Sequence, residues 1–99
     1  MAAYMIGNIE VLDAERYPEY ARLAAPTVAR YGGRYLARGG TTEVKEGDMK
    51  AHRVVILEFP SLARALEWYD SEEYRPARTL RQRYARSSII FVDGYTPPA

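Results

Sequence analysis

The sequence predicts an α+β domain with the element order β-α-β-β-α-β. Three observations lead there. An amphipathic helical pattern between Asp13 and Tyr31 ends at the pair Gly32-Gly33. Two runs, Arg53 to Phe59 and Ser88 to Tyr95, are rich in β-branched and aromatic residues, which suit a pleated surface. Between them the chain returns to helical spacing from Leu62 to about Ala85. That order implies four antiparallel strands with the helices on one face, the split-βαβ or ferredoxin-like arrangement.

Each element has its own signal. Tyr4 to Val11 reads as the first strand, and Asp13 offers an N-cap for the helix that follows. Tyr17, Tyr20, Leu23, Ala24, Thr27, Val28 and Tyr31 recur on one helical face. Pro18 suits the first turn, where a missing N–H costs little, and Pro26 is expected to kink the helix. Gly32-Gly33 accepts the left-handed conformation that ends helices. Arg34 to Arg38 is the second strand.

Gly39 to Lys50 forms a long hairpin connection, with extra pairing at Glu43 to Lys45 and a turn at Gly47-Asp48 as options. Arg53 to Phe59 is the third strand; Pro60 stops it and Ser61 caps a short helix. Leu62, Ala65, Leu66 and Tyr69 form that helix's inner stripe. Asp70-Ser71-Glu72-Glu73 marks a break and restart, with Asp70 and Glu73 at capping-box spacing. Ser88 to Tyr95 is the last strand. Residues 1–95 make a single domain, and 96–99 a flexible Pro-rich tail.

Composition narrows the function classes. The chain has 99 residues, of which 47% are hydrophobic, enough for one folded domain. A net charge of +1 gives no global pull toward nucleic acid or anionic lipid. The absence of cysteine removes disulfides, thiolate nucleophiles and zinc-thiolate sites. There is no basic segment leading into an apolar core at the N-terminus, and no apolar run of membrane-spanning length. The expectation is a cytoplasmic protein with no nucleic-acid or membrane partner.

The third and fourth strands are apolar on both faces. Val55, Leu57 and Phe59 point one way, Val54 and Ile56 the other; Ile90 and Val92 oppose Ile89 and Phe91. A sheet with one wet face should alternate apolar with polar. A second copy packed sheet to sheet is therefore expected, giving a homodimer.

The runs Tyr31-Gly32-Gly33-Arg34-Tyr35-Leu36-Ala37-Arg38-Gly39-Gly40, Val55-Ile56-Leu57-Glu58-Phe59-Pro60-Ser61, Ala65-Leu66-Glu67-Trp68-Tyr69-Asp70-Ser71-Glu72-Glu73-Tyr74 and Leu80-Arg81 together resemble the bacterial domain-of-unknown-function family 1330. The resemblance implies a dimeric α/β barrel, two ferredoxin-like subunits with their sheets pressed together. It also implies kinship with a superfamily of cofactor-free monooxygenases, lactone isomerases and haem enzymes. It carries over no catalytic residue.

Candidate chemistry rests on a few side chains. Arg34 and Arg38 lie four apart in a strand, which puts both on one face; they either hold a carboxylate or enolate, or pair with Glu58 or another strand acid. Glu58, beside Phe59-Pro60, is either a base in apolar surroundings or an ion-pair partner such as Arg38 would supply. Glu58 and Arg38 are the candidate catalytic pair. Tyr35, Trp68, Tyr69 and Tyr74 either line an aromatic pocket for a planar ligand or belong to the core. Arg81, with Arg34, joins them as a candidate ligand-binding residue, lying on the Tyr74-Ala77-Arg78 side of its helix.

His52 is the only histidine, so no multi-histidine metal site is built, and neither metal nor cofactor is expected. The arginines at 75, 78, 81, 83 and 86 spread around their helix rather than forming one basic stripe. Two functions stand together: a cofactor-independent monooxygenase- or isomerase-like enzyme acting on a small planar or anionic metabolite, and a non-catalytic homodimeric small-molecule-binding module.

Overall fold

In the computed structural model, which describes residues 1–98, strand β1 (Ala3–Val11) leads into helix α1 (Tyr17–Arg30). Strands β2 (Arg34–Arg38) and β3 (Arg53–Phe59) follow as a hairpin. Helices α2 (Leu62–Asp70) and α3 (Arg75–Tyr84) then lead into strand β4 (Ala85–Asp93). The sheet order is β2-β3-β1-β4, all pairs antiparallel. This is the ferredoxin-like order that the sequence predicts. Ala99, the last residue of the expected tail, lies outside the described residues.

The core lies between the helices and one sheet face. Met5 and Ile9 of β1 and Val55, Leu57 and Phe59 of β3 meet Tyr20, Ala24 and Val28 of α1 and Ala65 and Trp68 of α2. Trp68 stacks against Tyr74 (centroids 4.1 Å apart) and Phe59 (5.3 Å). The opposite face is uncovered. Ile90 is 59% exposed there, and Val92 and Leu36 are exposed too.

Local chemistry sets the ends. Gly32 has φ +78°, and the N–H of Gly33 donates to Val28 O at 2.9 Å, closing α1. Gly33 then passes so close to Phe59 and Val28 that a Cβ would sit 2.7 Å and 2.8 Å from their carbons. Ser61 Oγ accepts from Arg64 N at 3.1 Å and caps α2, as expected.

Several local expectations are corrected. Helix α1 starts at Tyr17, later than an Asp13 cap would give; Asp13 instead caps the turn before it, accepting from Arg16 N at 3.2 Å. The break after α2 is held by Ser71, whose Oγ accepts from Tyr74 N at 3.1 Å, rather than by an Asp70–Glu73 box. Leu66 is 42% exposed, and Trp68 takes the inner position. The wet side of a half-buried helix tolerates single leucines, so the stripe is set by the larger indole. Strand β4 begins at Ala85, directly after α3. No strand forms at Glu43–Lys45; those two side chains pair at 2.7 Å on an exposed loop.

Strand β2 carries the correction that matters for the site. Its register shifts by one residue between Tyr35 and Ala37, so that Leu36 and Ala37 both oppose Ile56. Such a bulge reverses which face the following residues take. Arg34 pairs with Glu58 on the uncovered face, whereas Arg38 pairs with Val55 on the helix face. The two arginines do not share a face. Gly39, at φ +71°, ends the strand, and its N–H donates to Val54 O at 2.9 Å.

Candidate functional site

The bulge sorts the candidate residues into three places. The first is the uncovered face. There Arg34 Nε donates to Glu58 Oε1 at 2.7 Å. Glu58 is thus an ion-pair partner of Arg34 and lies across the sheet from Arg38. The structure does not bring Glu58 and Arg38 together as an acid–base pair.

The second place is a narrow cavity between the sheet and helices α1 and α2. Apolar residues such as Leu57, Val28 and Ile9 wall it, Trp68 among them, and Tyr17, Tyr20, Tyr35 and Arg38 also line it. Its volume is about 20 Å³, no more than a water molecule needs. The Arg38 guanidinium lies 4.4 Å from the centroid of the Tyr35 ring, a cation–π contact. On the neighbouring strand Arg53 lies 5.6 Å from the Tyr17 ring centroid, and its Nε is buried without a hydrogen-bond partner. Among the described residues neither guanidinium forms an ion pair with a carboxylate.

The tyrosines here keep their protons, so none of them offers a phenolate as a base. Burial raises the Tyr17 hydroxyl, with Arg53 working against it, and burial raises Tyr35, with Arg38 working against it. Burial and the neighbouring Tyr74 push Tyr20 well above the usual phenol range. Among the described residues no acidic side chain lines the cavity. The cavity therefore has one cation in its lining, Arg38, a second, Arg53, behind Tyr17, and neutral hydroxyls, a set that receives an anion and has no carboxylate to take a proton.

The third place lies behind the second. Tyr20 and Tyr74 share a hydrogen bond between their hydroxyls at 3.0 Å. Arg81 Nε donates toward Tyr74 Oη at 3.4 Å, and its Nη2 toward Tyr69 Oη at 3.5 Å. Trp68 Nε1 donates to Thr27 Oγ1 at 3.0 Å, so its polar edge is satisfied inside the fold. Trp68 and Tyr74 are fully buried core residues that also border these polar groups. His52 sits on the exposed loop end, where its backbone N–H donates to Asn8 Oδ1 at 2.8 Å.

The match to known families decides where the chain belongs. Residues 2–95 match the model of a domain of unknown function, DUF1330. The chain belongs to the DUF1330 family. The sequence matches no curated protein. Among solved structures, this DUF1330 chain is similar to RPA0582 of Rhodopseudomonas palustris, a protein of unknown function. The two are 25% identical, with TM-score 0.74, over 97% of this chain and 84% of that one. It also shares its fold with SnoaB, a cofactor-independent oxygenase from Streptomyces nogalater, at 13% identity and TM-score 0.66, covering 97% of this chain and 95% of that one. Rv0793 of Mycobacterium tuberculosis shares the fold at 11% identity and TM-score 0.59, with both chains covered in full.

Within this DUF1330 domain, sequence reasoning overlooks Arg53, Tyr17 and Tyr20. Arg53 opens a strand and looks like a solvated strand end. Its strand alternation with Val55, Leu57 and Phe59, which places it on the helix face, is the signal that finds it. Tyr17 and Tyr20 read as helix stripe, and only the facing Arg53, over the Tyr17 ring, and Tyr74, bonded to the Tyr20 hydroxyl, give them a role.

Proposed function

We propose that this DUF1330 protein is a cytoplasmic homodimeric module that binds a small planar organic anion between its sheet and helices. The observation that carries this reading is the pair Arg38 and Arg53. Both sit on the helix face; Arg38 lines the cavity and Arg53 packs against Tyr17, which lines it, and among the described residues neither is neutralised by a carboxylate. Natural ligand sites combine apolar walls with a few polar groups in the same manner. Arg38 and Arg53 take the anionic group, Tyr35 and Tyr17 orient it, and Trp68 and Leu57 form the walls. At about 20 Å³ the cavity is smaller than a metabolite, so this reading requires the helices and sheet to part around Arg38 and Tyr35 when the ligand binds.

The uncovered face supports the homodimer. Ile6, Met49 and Ile90 wall an apolar groove of about 200 Å³ there. Each large apolar side chain covered by a second copy contributes about 1.5–3 kcal/mol. Ile90, Val92 and Leu36 alone give a stable association a physical basis.

A second reading is enzymatic: an oxygenase- or isomerase-like reaction on the same ligand, without a cofactor. The fold shared with SnoaB supports it. Fold does not fix function, and no carboxylate base lines the cavity, so binding is the reading the geometry favours.

Calorimetric titration with benzoate and with neutral benzamide tests the proposal. Benzoate should bind and benzamide should not, and Arg38→Ala should abolish the heat. Equal binding of both compounds, or unchanged benzoate binding in Arg38→Ala, sinks the reading. For any anion that does bind, consumption of oxygen or conversion of the ligand moves the choice to the enzymatic version.

A further inference from the structure

Among the described residues Arg81 is the one buried charged side chain, at 4% exposure. A guanidinium carries five N–H donors. Here Nε and Nη2 reach only tyrosine hydroxyls, at 3.4 Å and 3.5 Å, longer than ordinary hydrogen bonds. Nη1 has no protein partner among the described residues, and no carboxylate pairs with the group. Burying a charge without a counter-charge is costly. Burial works to lower the Arg81 pKa, and the tyrosine oxygens more than offset it, so the cation persists.

A second orphan lies beside it. Ser87 Oγ is buried and has no hydrogen-bond partner among the described residues. Unsatisfied buried groups in folded proteins are few and call for a reason. Arg81 and Ser87 line the same open cavity of about 340 Å³, together with Tyr69, Gln82, Ala85 and Ile89. No acidic residue is among them. The topology produces this meeting. Helix α3 passes into β4 with no loop, so Arg81 in its last turn stands over Ser87 near the start of the strand. Strand β4 is a sheet edge, and the helices only half-cover Ser87, Ile89 and Phe91.

We infer that this cavity is a second ligand site, which binds a small organic carboxylate. The Arg81 guanidinium anchors the carboxylate, the Ser87 hydroxyl donates to it, and Ala85 and Ile89 receive a short carbon skeleton. A single cation flanked by neutral Tyr69, Ser87 and Gln82 balances one negative charge, and the planar fork of arginine matches a carboxylate. Neither Arg38 nor Arg53 lines this site; Ile89 alone borders both cavities. The Tyr20–Tyr74 hydroxyl pair joins the two through the core.

The test is titration with sodium lactate at constant ionic strength, read by the Arg81 Nε–H resonance in proton–nitrogen spectra, with Arg81→Lys used for assignment. A saturable shift is expected with lactate and none with lactamide. Ser87→Ala removes only an unpartnered hydroxyl, so it should fold normally and weaken lactate about tenfold, as for a lost hydrogen bond to a charged group. Arg38→Ala should leave lactate binding intact, which separates this site from the first cavity. No shift with lactate up to tens of millimolar overturns the inference. So do a response to inorganic phosphate alone, undiminished binding in Ser87→Ala, or a crystal structure in which a carboxylate of a second copy occupies Arg81.

Discussion

Arg34 and Arg38 stand on opposite faces of the same five-residue strand, because Leu36 and Ala37 share one partner, Ile56. One arginine therefore neutralises Glu58 on the uncovered face, and the other reaches the cavity under the helices. The two have separable consequences.

The Arg34–Glu58 pair should contribute little to stability. The Arg34 side chain is largely exposed, and exposed pairs are worth about 0.2–1 kcal/mol. A double-mutant cycle of Arg34→Ala and Glu58→Gln, followed by urea unfolding, should give a coupling within that range. Benzoate binding should be unchanged in both single variants. A loss of binding in Glu58→Gln would return the carboxylate to the site.

Gly33→Ala should destabilise by about 1–3 kcal/mol, the usual cost of overpacking. The new methyl would press on Phe59 and Val28 inside the core. Gly40→Ala meets nothing within 4 Å and serves as the control. Equal unfolding midpoints for the two variants would show that the α1–β2 turn gives way more easily than its packing implies.

Trp68→Ala should cost about 3–5 kcal/mol, as for other large aromatics removed from a core. The indole is buried between Phe59 and Tyr74. As the only tryptophan, it should also emit at short wavelength when folded and shift red on unfolding. Red emission from the native protein would contradict its burial.

Alkaline pH should unfold the protein. Tyr17, Tyr20 and Tyr35 have raised pKa values in the fold, chiefly through burial. Their folded pKa values lie above the unfolded value of about 10, so the native state keeps protons that the unfolded state releases. Their contribution is complete below that pH and falls as pH rises through it. Phenolate absorbance from these residues should appear together with loss of tryptophan burial. Early titration of all nine tyrosines in the native state would count against it.

Ile90→Lys on the uncovered face should leave the fold intact and shift the protein to monomer in sedimentation velocity. Ile90 is more than half exposed in the single chain, so lysine costs nothing within it. A wild-type protein that sediments as a monomer at micromolar concentration would remove the basis for the homodimer.

Much of this molecule is legible in its residues. The alternation in Arg53–Phe59 and in β4, the glycine pair after α1 and the Ser61 cap are short-range signals. They depend on sterics and hydrogen bonds within a few residues, so the sequence alone determined the strands, the helices, their order and the two apolar sheet faces. The site was less legible because its geometry depends on register. Nothing local to Arg34–Arg38 announces a bulge; the fit of β2 against β3 decides it, and one residue of slip moves Arg38 to the other face. Likewise, the spacing in α3 placed Arg81 only on the Tyr74-Ala77-Arg78 side of its helix. Only the packing of α2, α3 and β4 left it buried without a carboxylate beside Ser87, since burial and counter-charge are properties of neighbours distant in the chain.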